Sequence, residues 1–439
     1  MRKRRLVISL ARLRTGELDG MTEKIGGRLP IIVQKYGGTS VATPEHILAI
    51  ADRIERDLPH NPRLVIVLSA MGNTTDELVS LAKQVSNHPV GREMDLLLST
   101  GEQVTVSLLG LALQSRDIAA VSLTALQCGI RTDGSFNVAR IRSIDTARIY
   151  LELNKGRVII VTGFQGMSDS NDVTTLGRGG SDITAAALAA ALGAEACEIC
   201  TDVDGIFSAD PSRVPDASFW RDLSYEEAIE MASSGAKVLH PRATEICMEY
   251  KVPIHVRSSF HLREGTWIRG GDSIMERAEV VSVASDSNIA KVALLDVPDE
   301  PGMAARVFQD LARDGVNIRF IIQSASSEGL NRITFISDVE FLDAVGDLVQ
   351  RWKSEGVTRS AVVESEVATV SIVGSRLAST PGLAARMFTS LAREGINIDC
   401  ISSSEMKVTC VISAVRLEEA TRAVHREFFS ESEATATSA

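Results

Sequence analysis

Residues 174–201 read T-T-L-G-R-G-G-S-D-I-T-A-A-A-L-A-A-A-L-G-A-E-A-C-E-I-C-T. Three glycines surround one arginine. An alanine-rich run follows, and alanine is the strongest helix former. Ser181 stands where a helix cap is expected, and Asp182 falls in the first turn. The segment Ala196–Thr201 is apolar and strand-like. A glycine turn, a helix over 181–193 and a strand make one α/β step, and the same step recurs on either side of it.

Short apolar runs at Ile31–Val33, Leu64–Leu68, Ala119–Leu123, Val158–Val161, Ala196–Thr201 and Pro253–Val256 predict strands. Helical patterns lie around 44–57, 76–86, 94–115, 181–193, 225–233 and 241–250. Apolar runs without alternation fit strands buried on both faces, and helices between them fit parallel βαβ units. Residues 30–270 are therefore expected to form one α/β sandwich around a parallel sheet.

The last third carries an internal repeat. P-G-M-A-A-R-V-F-Q-D-L-A-R-D-G-V-N-I at 301–318 returns as P-G-L-A-A-R-M-F-T-S-L-A-R-E-G-I-N-I at 381–398, with 12 of 18 positions identical. In each copy Pro-Gly opens a helix and a later Gly closes it. Strands are expected before each helix (Ala290–Val297 and Ala368–Val373) and after it. Two small α+β modules follow from this, over 285–358 and 366–430.

The chain has 439 residues, a length for two or three domains, and its 44% apolar and 23% charged content is ordinary for globular protein. A net charge of −11 argues against a nucleic-acid partner, which needs clustered Lys and Arg. Six scattered cysteines make no disulfide framework, and a reducing cytoplasm fits them. Cys197 and Cys200 form a C-x-x-C on a strand, where residues three apart face opposite ways, and no second metal-ligand pair follows. No stretch is expected to approach a membrane span. Residues 1–29 read as a flexible extension; Met21 just before the first strand leaves residues 1–20 either that or an upstream start. Residues 431–439 read as a disordered tail.

Several loops at strand ends carry the polar chemistry. K-Y-G-G-T-S at 35–40 reads as a phosphate cradle with Lys35 as a point charge, or as a tight turn with an exposed lysine. L-G-R-G-G-S-D fits neither G-x-G-x-x-G nor a Walker A loop. Its Arg178 offers a planar fork for a carboxylate or phosphate. S-A-M-G-N-T-T-D (69–76), S-T-G-E-Q (99–103) and T-D-V-D-G-I-F-S-A-D-P (201–211) complete the set. In a parallel sheet the loops that follow strands share the carboxyl edge, where α/β proteins bind ligands.

Together with G-F-Q-G and S-G-A-K-V-L-H-P, these motifs closely resemble aspartate kinases, in that family's order from about residue 31 to 270. The paired modules resemble ferredoxin-like ACT regulatory domains. The resemblance implies the amino acid kinase fold and ATP-dependent phosphorylation of the L-aspartate β-carboxylate. The product is 4-phospho-L-aspartate, the first intermediate toward lysine, threonine, methionine and diaminopimelate. A carboxylate is already ionised at neutral pH, so no general base is needed. The work is to bring two anions together and neutralise the transferring group. The resemblance implies Lys35 as the phosphate-stabilising lysine, with Tyr36, Gly37 and Gly38 at the nucleotide and Asp182 orienting Lys35 or the metal shell. Arg178 would clamp the aspartate α-carboxylate and Glu102 would receive its α-ammonium. Ser69, Thr75, Gly179, Gly180 and Ser181 would add contacts. Thr201, Asp202, Phe207, Asp210, Lys237 and Val238 would line the nucleotide pocket. Mg²⁺ is expected to arrive with ATP rather than through direct protein ligands.

The effector loops of the modules are matched by Asp299, Gly302, Met303, Ala304, Asn317, Ile318 and Gln323, and by Asn397, Ile398, Ser402 and Ser403. A lysine or threonine effector and a homodimer or larger homo-oligomer through these modules are what the family implies. The chain departs from the family at four places. Phe207 replaces a frequent Tyr, D-P-S-R replaces D-P-R, Arg319 replaces the Asp of N-I-D, and Ser324 replaces a frequent Asn. Two other readings are a different carboxylate kinase of the same fold and a non-catalytic amino-acid sensor. No dinucleotide-binding domain is expected after residue 430.

Overall fold

The computed structural model describes residues 29–60, 63–87, 89–236, 238–270, 278–325 and 329–430. The expected extension up to residue 28, Lys237 and the 431–439 tail lie outside the described residues. The chain forms two compact units.

The first unit takes in Met1–Ile206, Trp220–Ile229 and Lys237–Ile274. Its centre is an eight-stranded sheet, in spatial order Asp222–Ser224, Thr266–Arg269, Ile254–Ser258, Ala196–Thr201, Ile32–Tyr36, Leu64–Leu68, Val158–Thr162 and Ala120–Leu123. The strands from Ile254–Ser258 to Ala120–Leu123 are all mutually parallel. Thr266–Arg269 runs antiparallel to its neighbour Ile254–Ser258. Leu64–Leu68 and Val158–Thr162 are buried at every position, as strands covered on both faces must be.

Helix Pro44–Asp57 starts with Thr43, whose side chain accepts from the His46 N–H at 3.3 Å, and with Pro at its first position. Its buried Ile47, Ile50, Ala51 and Ile54 recur at helical spacing. They join Leu109 and Leu113 of helix Thr100–Gln114 in one core cluster with the central strands. Each such side chain contributes about 1.5–3 kcal/mol when fully buried. Helix Gly180–Leu192 is buried on nearly every face, which explains its alanines. Small side chains let it lie close on the sheet beneath helix Pro241–Tyr250.

The stretch expected as one helix over 94–115 is two, Arg92–Leu98 and Thr100–Gln114. The break falls at Ser99. Its carbonyl is taken up by the Gln165 and Gln103 side chains, at 2.6 and 3.2 Å, which offsets the loss of regular pairing. The expectation about membrane spans is also corrected here. Arg92–Gln114 is long and apolar enough to cross one by composition, but over half of it is buried, as in a core helix. A second sheet, Ile141–Ile144, Ile130–Thr132, Gln165–Met167 and Val173–Thr175, is absent from the sequence expectation. Its strands are three or four residues long, too short to show a period.

The second unit takes in Phe207–Phe219, Glu230–Ala236 and Met275–Ala439. The first two segments were expected inside the 30–270 domain. Ser208 and His425 lie 2.9 Å apart through Oγ and Nε2, the Val283 N–H donates to Ser208 O at 2.7 Å, and Lys407 pairs with Glu230 at 3.1 Å. Two four-stranded antiparallel modules make up the rest. One has the order Ile318–Ala325, Leu330–Asp338, Ile289–Pro298, Ser360–Glu364. The other has Ser282–Asp286, Val367–Val373, Lys407–Ser413, Cys400–Ser403. The second module thus borrows its edge strand from upstream of the first. Ser285 and Asp286, expected in the first module, pair with Val370 and Thr369 of the second. The repeated helices Met303–Arg313 and Leu383–Arg393 each start on a left-handed glycine, Gly302 at φ 104° and Gly382 at φ 93°.

Candidate active site

The polar loops of the first unit follow Ile32–Tyr36, Leu64–Leu68, Val158–Thr162 and Ala196–Thr201, so parallel pairing brings them to one edge of the sheet. Lys35 stands one residue before the end of its strand, with Nζ 2.6 Å from Asp182 Oδ1, and both side chains are mostly buried. Parallel register sets Lys35 beside Val67 and Ile199. The two loops after Tyr36 and Leu68 touch backbone to backbone. The Gly72 N–H donates to Gly38 O at 3.1 Å, and a Cβ on Gly38 would stand 3.2 Å from Ala70 O. A Cβ on Gly37 would stand 3.3 Å from Lys35 Nζ, so glycine keeps the ammonium accessible. The Tyr36 side chain turns the other way, fully buried, with its hydroxyl donating to Gln34 Oε1 at 3.2 Å. Only its backbone faces the loop.

Glu102 stands at the start of helix Thr100–Gln114, 3% exposed. Its Oε1 accepts from the Ala70 N–H at 3.2 Å, while Oε2 is buried without a hydrogen-bond partner. Burial pushes its carboxyl up to about 7, against the hydrogen bonds it accepts. A buried, half-satisfied carboxylate beside a loop of small residues is poised for a cation. Ser69 and Thr75 are half-buried at the end of the Leu64–Leu68 strand and the start of helix Thr74–Val85. A cleft of about 500 Å³ adjoins these loops, lined by Thr39, Ala42, Met71, Gly72, Asn73, Thr74 and Glu77.

Arg178 is exposed on a tightly held loop. Gly177 and Gly179 adopt φ of 77° and 66°, a region L-residues avoid. Gly180 opens the helix against Phe164, whose ring would lie 2.6 Å from a Cβ there. Ser181 Oγ faces Gly163, where a Cβ would come within 2.6 Å. The three glycines are thus explained by backbone hand and close packing. Asp95, wholly buried, accepts from Thr175 N–H and Oγ1 at 2.7 and 2.9 Å and from the Asn137 N–H at 3.0 Å. Burial pushes its carboxyl up, and these bonds pull against that.

Sequence reasoning passed over Asp95, Phe164, Gln165, His240 and Arg242. Phe164 carries φ 69°, rare for an aromatic residue, and its N–H donates to Thr184 Oγ1 at 3.1 Å. The G-F-Q-G and S-G-A-K-V-L-H-P motifs contain Phe164, Gln165 and His240 without giving them roles, and Arg242 lies one residue past the second motif. Asp95 sits in an unremarkable helix and gave no signal.

Of the residues expected at a nucleotide, Thr201 Oγ1 donates to Asp202 Oδ1 at 3.1 Å, and the Ser259 N–H donates to Thr201 O at 2.7 Å. Val238 is half-buried in the first unit. Phe207 and Asp210 belong to the second unit. Phe207 packs edge-on to Phe219 at 5.4 Å, and Asp210 Oδ1 accepts from Ser212 N–H and Oγ at 2.9 and 2.7 Å. Ser212, the residue inserted in D-P-S-R, therefore closes an Asp turn.

In the first module Asp299 accepts from Asn331 Nδ2 at 2.7 Å, Met303 and Ala304 are half-buried at the helix start, and Asn317, Gln323 and Ser324 are exposed. Ile318 opens a strand, and the next residue, Arg319, pairs with Asp286 and Asp338, each at 2.7 Å. In the second module Asn397 and Ile398 lead to Asp399, which pairs with Lys291 at 3.2 Å. Ser402 and Ser403 lie on the strand that follows.

The amino acid kinase family model matches residues 30–258, and ACT domain models match 291–357 and 370–428. An aspartokinase of Geobacillus stearothermophilus is 44% identical over 406 residues, 92% of this chain and 99% of that protein. Among solved structures, E. coli aspartokinase III with aspartate and ADP, in its R-state, superposes with a TM-score of 0.76 at 28% identity. It covers 91% of this chain and 100% of that one. The same enzyme with lysine and aspartate, in its T-state, gives 0.69 at 26%, covering 91% and 99%. Sheet order, edge loops, module pair and end-to-end similarity converge, and the chain belongs to the aspartokinase family.

Proposed function

We propose that this aspartokinase moves the γ-phosphoryl group of ATP to the β-carboxylate of L-aspartate with Lys35 and Asp182 at the phosphoryl group and with Arg178 and Glu102 on the amino acid. The observation that carries the reading is the buried, unpartnered Glu102 oxygen on the same sheet edge as the Lys35–Asp182 pair. An α-ammonium satisfies that oxygen and repays its desolvation. The exposed Arg178 fork meets the α-carboxylate, so the substrate is held by both ends and its β-carboxylate is aimed. Lys35 neutralises phosphate charge, and Asp182 keeps its ammonium in place. Gly37 and Gly38 let phosphate oxygens approach the backbone; Ser69, Thr75, Ser181 and the Gly179–Gly180 amides add hydrogen bonds. Thr201, Asp202 and Val238 of the first unit take the nucleotide.

Among the described residues no group of three or more His, Cys, Asp or Glu could hold a metal ion. Mg²⁺ would come with ATP, with Asp182 as the carboxylate expected nearby, and would supply charge neutralisation at the phosphates.

E. coli aspartokinase III has been solved with lysine, and we extend end-product control to this chain's module pair. Lysine or threonine is the effector, and the modules join copies into a homodimer. Arg319 removes the acidic partner of an effector ammonium in the first module, while Asp399 keeps one in the second.

Aspartate-dependent ADP formation tests the reaction, with lysine and threonine added singly and together. Arg178→Ala is expected to raise KM for aspartate at least tenfold, the loss of about 1.5–3 kcal/mol typical of a charged hydrogen bond, and to leave KM for ATP near wild type. A change confined to KM for ATP refutes the assignment.

A further inference from the structure

Helix Pro241–Tyr250 begins directly behind the loop that carries Arg178, and its N-cap residue His240 and its second residue Arg242 hold that loop from either side. A Cβ on Gly179 would stand 2.2 Å from Cδ2 and 2.4 Å from Cγ of His240. The imidazole therefore fills the space that the missing side chain leaves. Its Nδ1 is buried with no hydrogen-bond partner, so the ring acts there by shape and not by a bond. On the other side of Arg178, the Arg242 guanidinium donates from Nη1 to Leu176 O at 3.1 Å and from Nη2 to Ala139 O at 3.4 Å. Leu176 precedes Arg178 by two residues and Gly179 follows it by one. The loop between them has two left-handed glycines, and without external support it has many conformations to lose.

We infer that His240 and Arg242 are positioning residues for aspartate recognition: they hold the backbone on both sides of Arg178 and so aim its guanidinium at the amino acid's α-carboxylate. The inference rests on the reading of Arg178 as the carboxylate clamp. A planar fork accepts a carboxylate in one plane, so a loop displaced by about 1 Å forfeits much of the bidentate contact. Neither residue is placed against aspartate or ATP. Their removal acts on the pose of Arg178 and leaves the Lys35–Asp182 pair standing.

The test is a double-mutant cycle between Gly179 and His240 on the full-length enzyme, with KM for aspartate, KM for ATP and kcat measured for each variant. Gly179→Ala is expected to raise KM for aspartate about 100-fold, because the new methyl meets the ring and displaces the loop. His240→Ala alone is expected to raise it about fivefold to tenfold, with KM for ATP within twofold of wild type. Combining the two is expected to recover about threefold of the Gly179→Ala loss, since the ring is gone while the Cβ of residue 240, 2.7 Å away, and the left-handed φ of 66° remain. Arg242→Met should raise KM for aspartate like His240→Ala, and Arg242→Lys should restore part of it.

Effects that simply multiply in the double variant overturn the inference. So do variants that raise both KM values alike, the signature of general damage. Thermal unfolding of each variant identifies one that fails to fold, and then the Arg242→Met and Arg242→Lys pair decides on the same KM split. Arg178→Ala runs alongside. If it raises KM for aspartate while the cycle shows no coupling, the positioning inference falls alone. If it leaves KM for aspartate unchanged, the clamp falls and the inference with it.

Discussion

Burial leaves the Glu102 carboxyl near 7 in the ligand-free protein, so a single residue should write its titration into the kinetics. Only the ionised form attracts an ammonium. Below pH 7 the carboxyl holds its proton, and kcat/KM for aspartate should fall about tenfold per unit of pH. Above 7 it should level off. Glu102→Gln should flatten the profile at a low plateau, and a wild-type profile already flat from pH 6 to 8 would remove Glu102 from the site. The stability effect runs the opposite way. The folded state keeps a proton that the unfolded chain has released, from the ordinary carboxylate pKa up to about 7. Stability from this group is therefore lost as pH rises through that window, by about 3 kcal/mol at 1.4 kcal/mol per unit. Glu102→Gln should not show this loss, and denaturant midpoints at pH 5 and 8 would check it.

At the scale of elements, the loop 174–180 is held by groups that sequence order scatters. Asp95 is the clearest case, because its carboxylate receives three donors from two other segments. Asp95→Asn turns one acceptor into an amide facing those N–H groups. The expected cost is about 2–4 kcal/mol, with KM for aspartate rising more than KM for ATP. Urea unfolding and initial rates would check both, and an Asn variant of wild-type stability would contradict the anchoring role. The same contrast explains what could be read in advance. The six expected strands of the main sheet all form, and helix Pro44–Asp57 spans the 44–57 expected, because long apolar periods mark such elements directly. The four short strands around Gln165–Met167 carry no period of their own; pairing partners make them strands. In the candidate site, glycines and charged residues in loops stand out by type, so Lys35, Glu102 and Arg178 could be picked as candidates from sequence. Asp95 and the half-buried ring of His240 could not, since their importance lies in what packs against them. Ser285 and Asp286 were expected in the first module instead, because nothing local to a strand names the sheet it joins.

At the scale of the whole chain, the two modules of the second unit are joined by charge as well as by a small apolar cluster of Ile289, Ile336, Val367 and Val411. Two basic residues of the first module each reach an acid of the second. Arg319 bridges Asp286 and its own module's Asp338; Lys291 bridges Asp399 and its own module's Glu364, at 3.2 and 2.7 Å. Arg319 occupies in the first repeat the place of Asp399 in the second, so the departure from N-I-D is also the origin of one bridge. The two bridges should differ in strength. The Asp286 side chain is 7% exposed, so Arg319→Met leaves a buried carboxylate with only the Asn288 N–H on its other oxygen. Breaking such a pair costs about 3–5 kcal/mol when burial is complete, and about 2 kcal/mol is expected with that donor retained. Glu364 and Asp399 are 41% and 32% exposed, and water screens them once Lys291→Met removes their partner. There the expected cost is about 1 kcal/mol or less. Amide hydrogen exchange reads this locally, without assuming that the two units unfold together. Arg319→Met should speed exchange along Ser282–Asp286 by about 30-fold, the equivalent of 2 kcal/mol. Lys291→Met should speed it along Cys400–Ser403 by fivefold or less, and 0.5 M salt should shrink the second effect more than the first. Equal acceleration in the two variants would mean that burial does not set the worth of these bridges and that the modules are held by the apolar cluster alone.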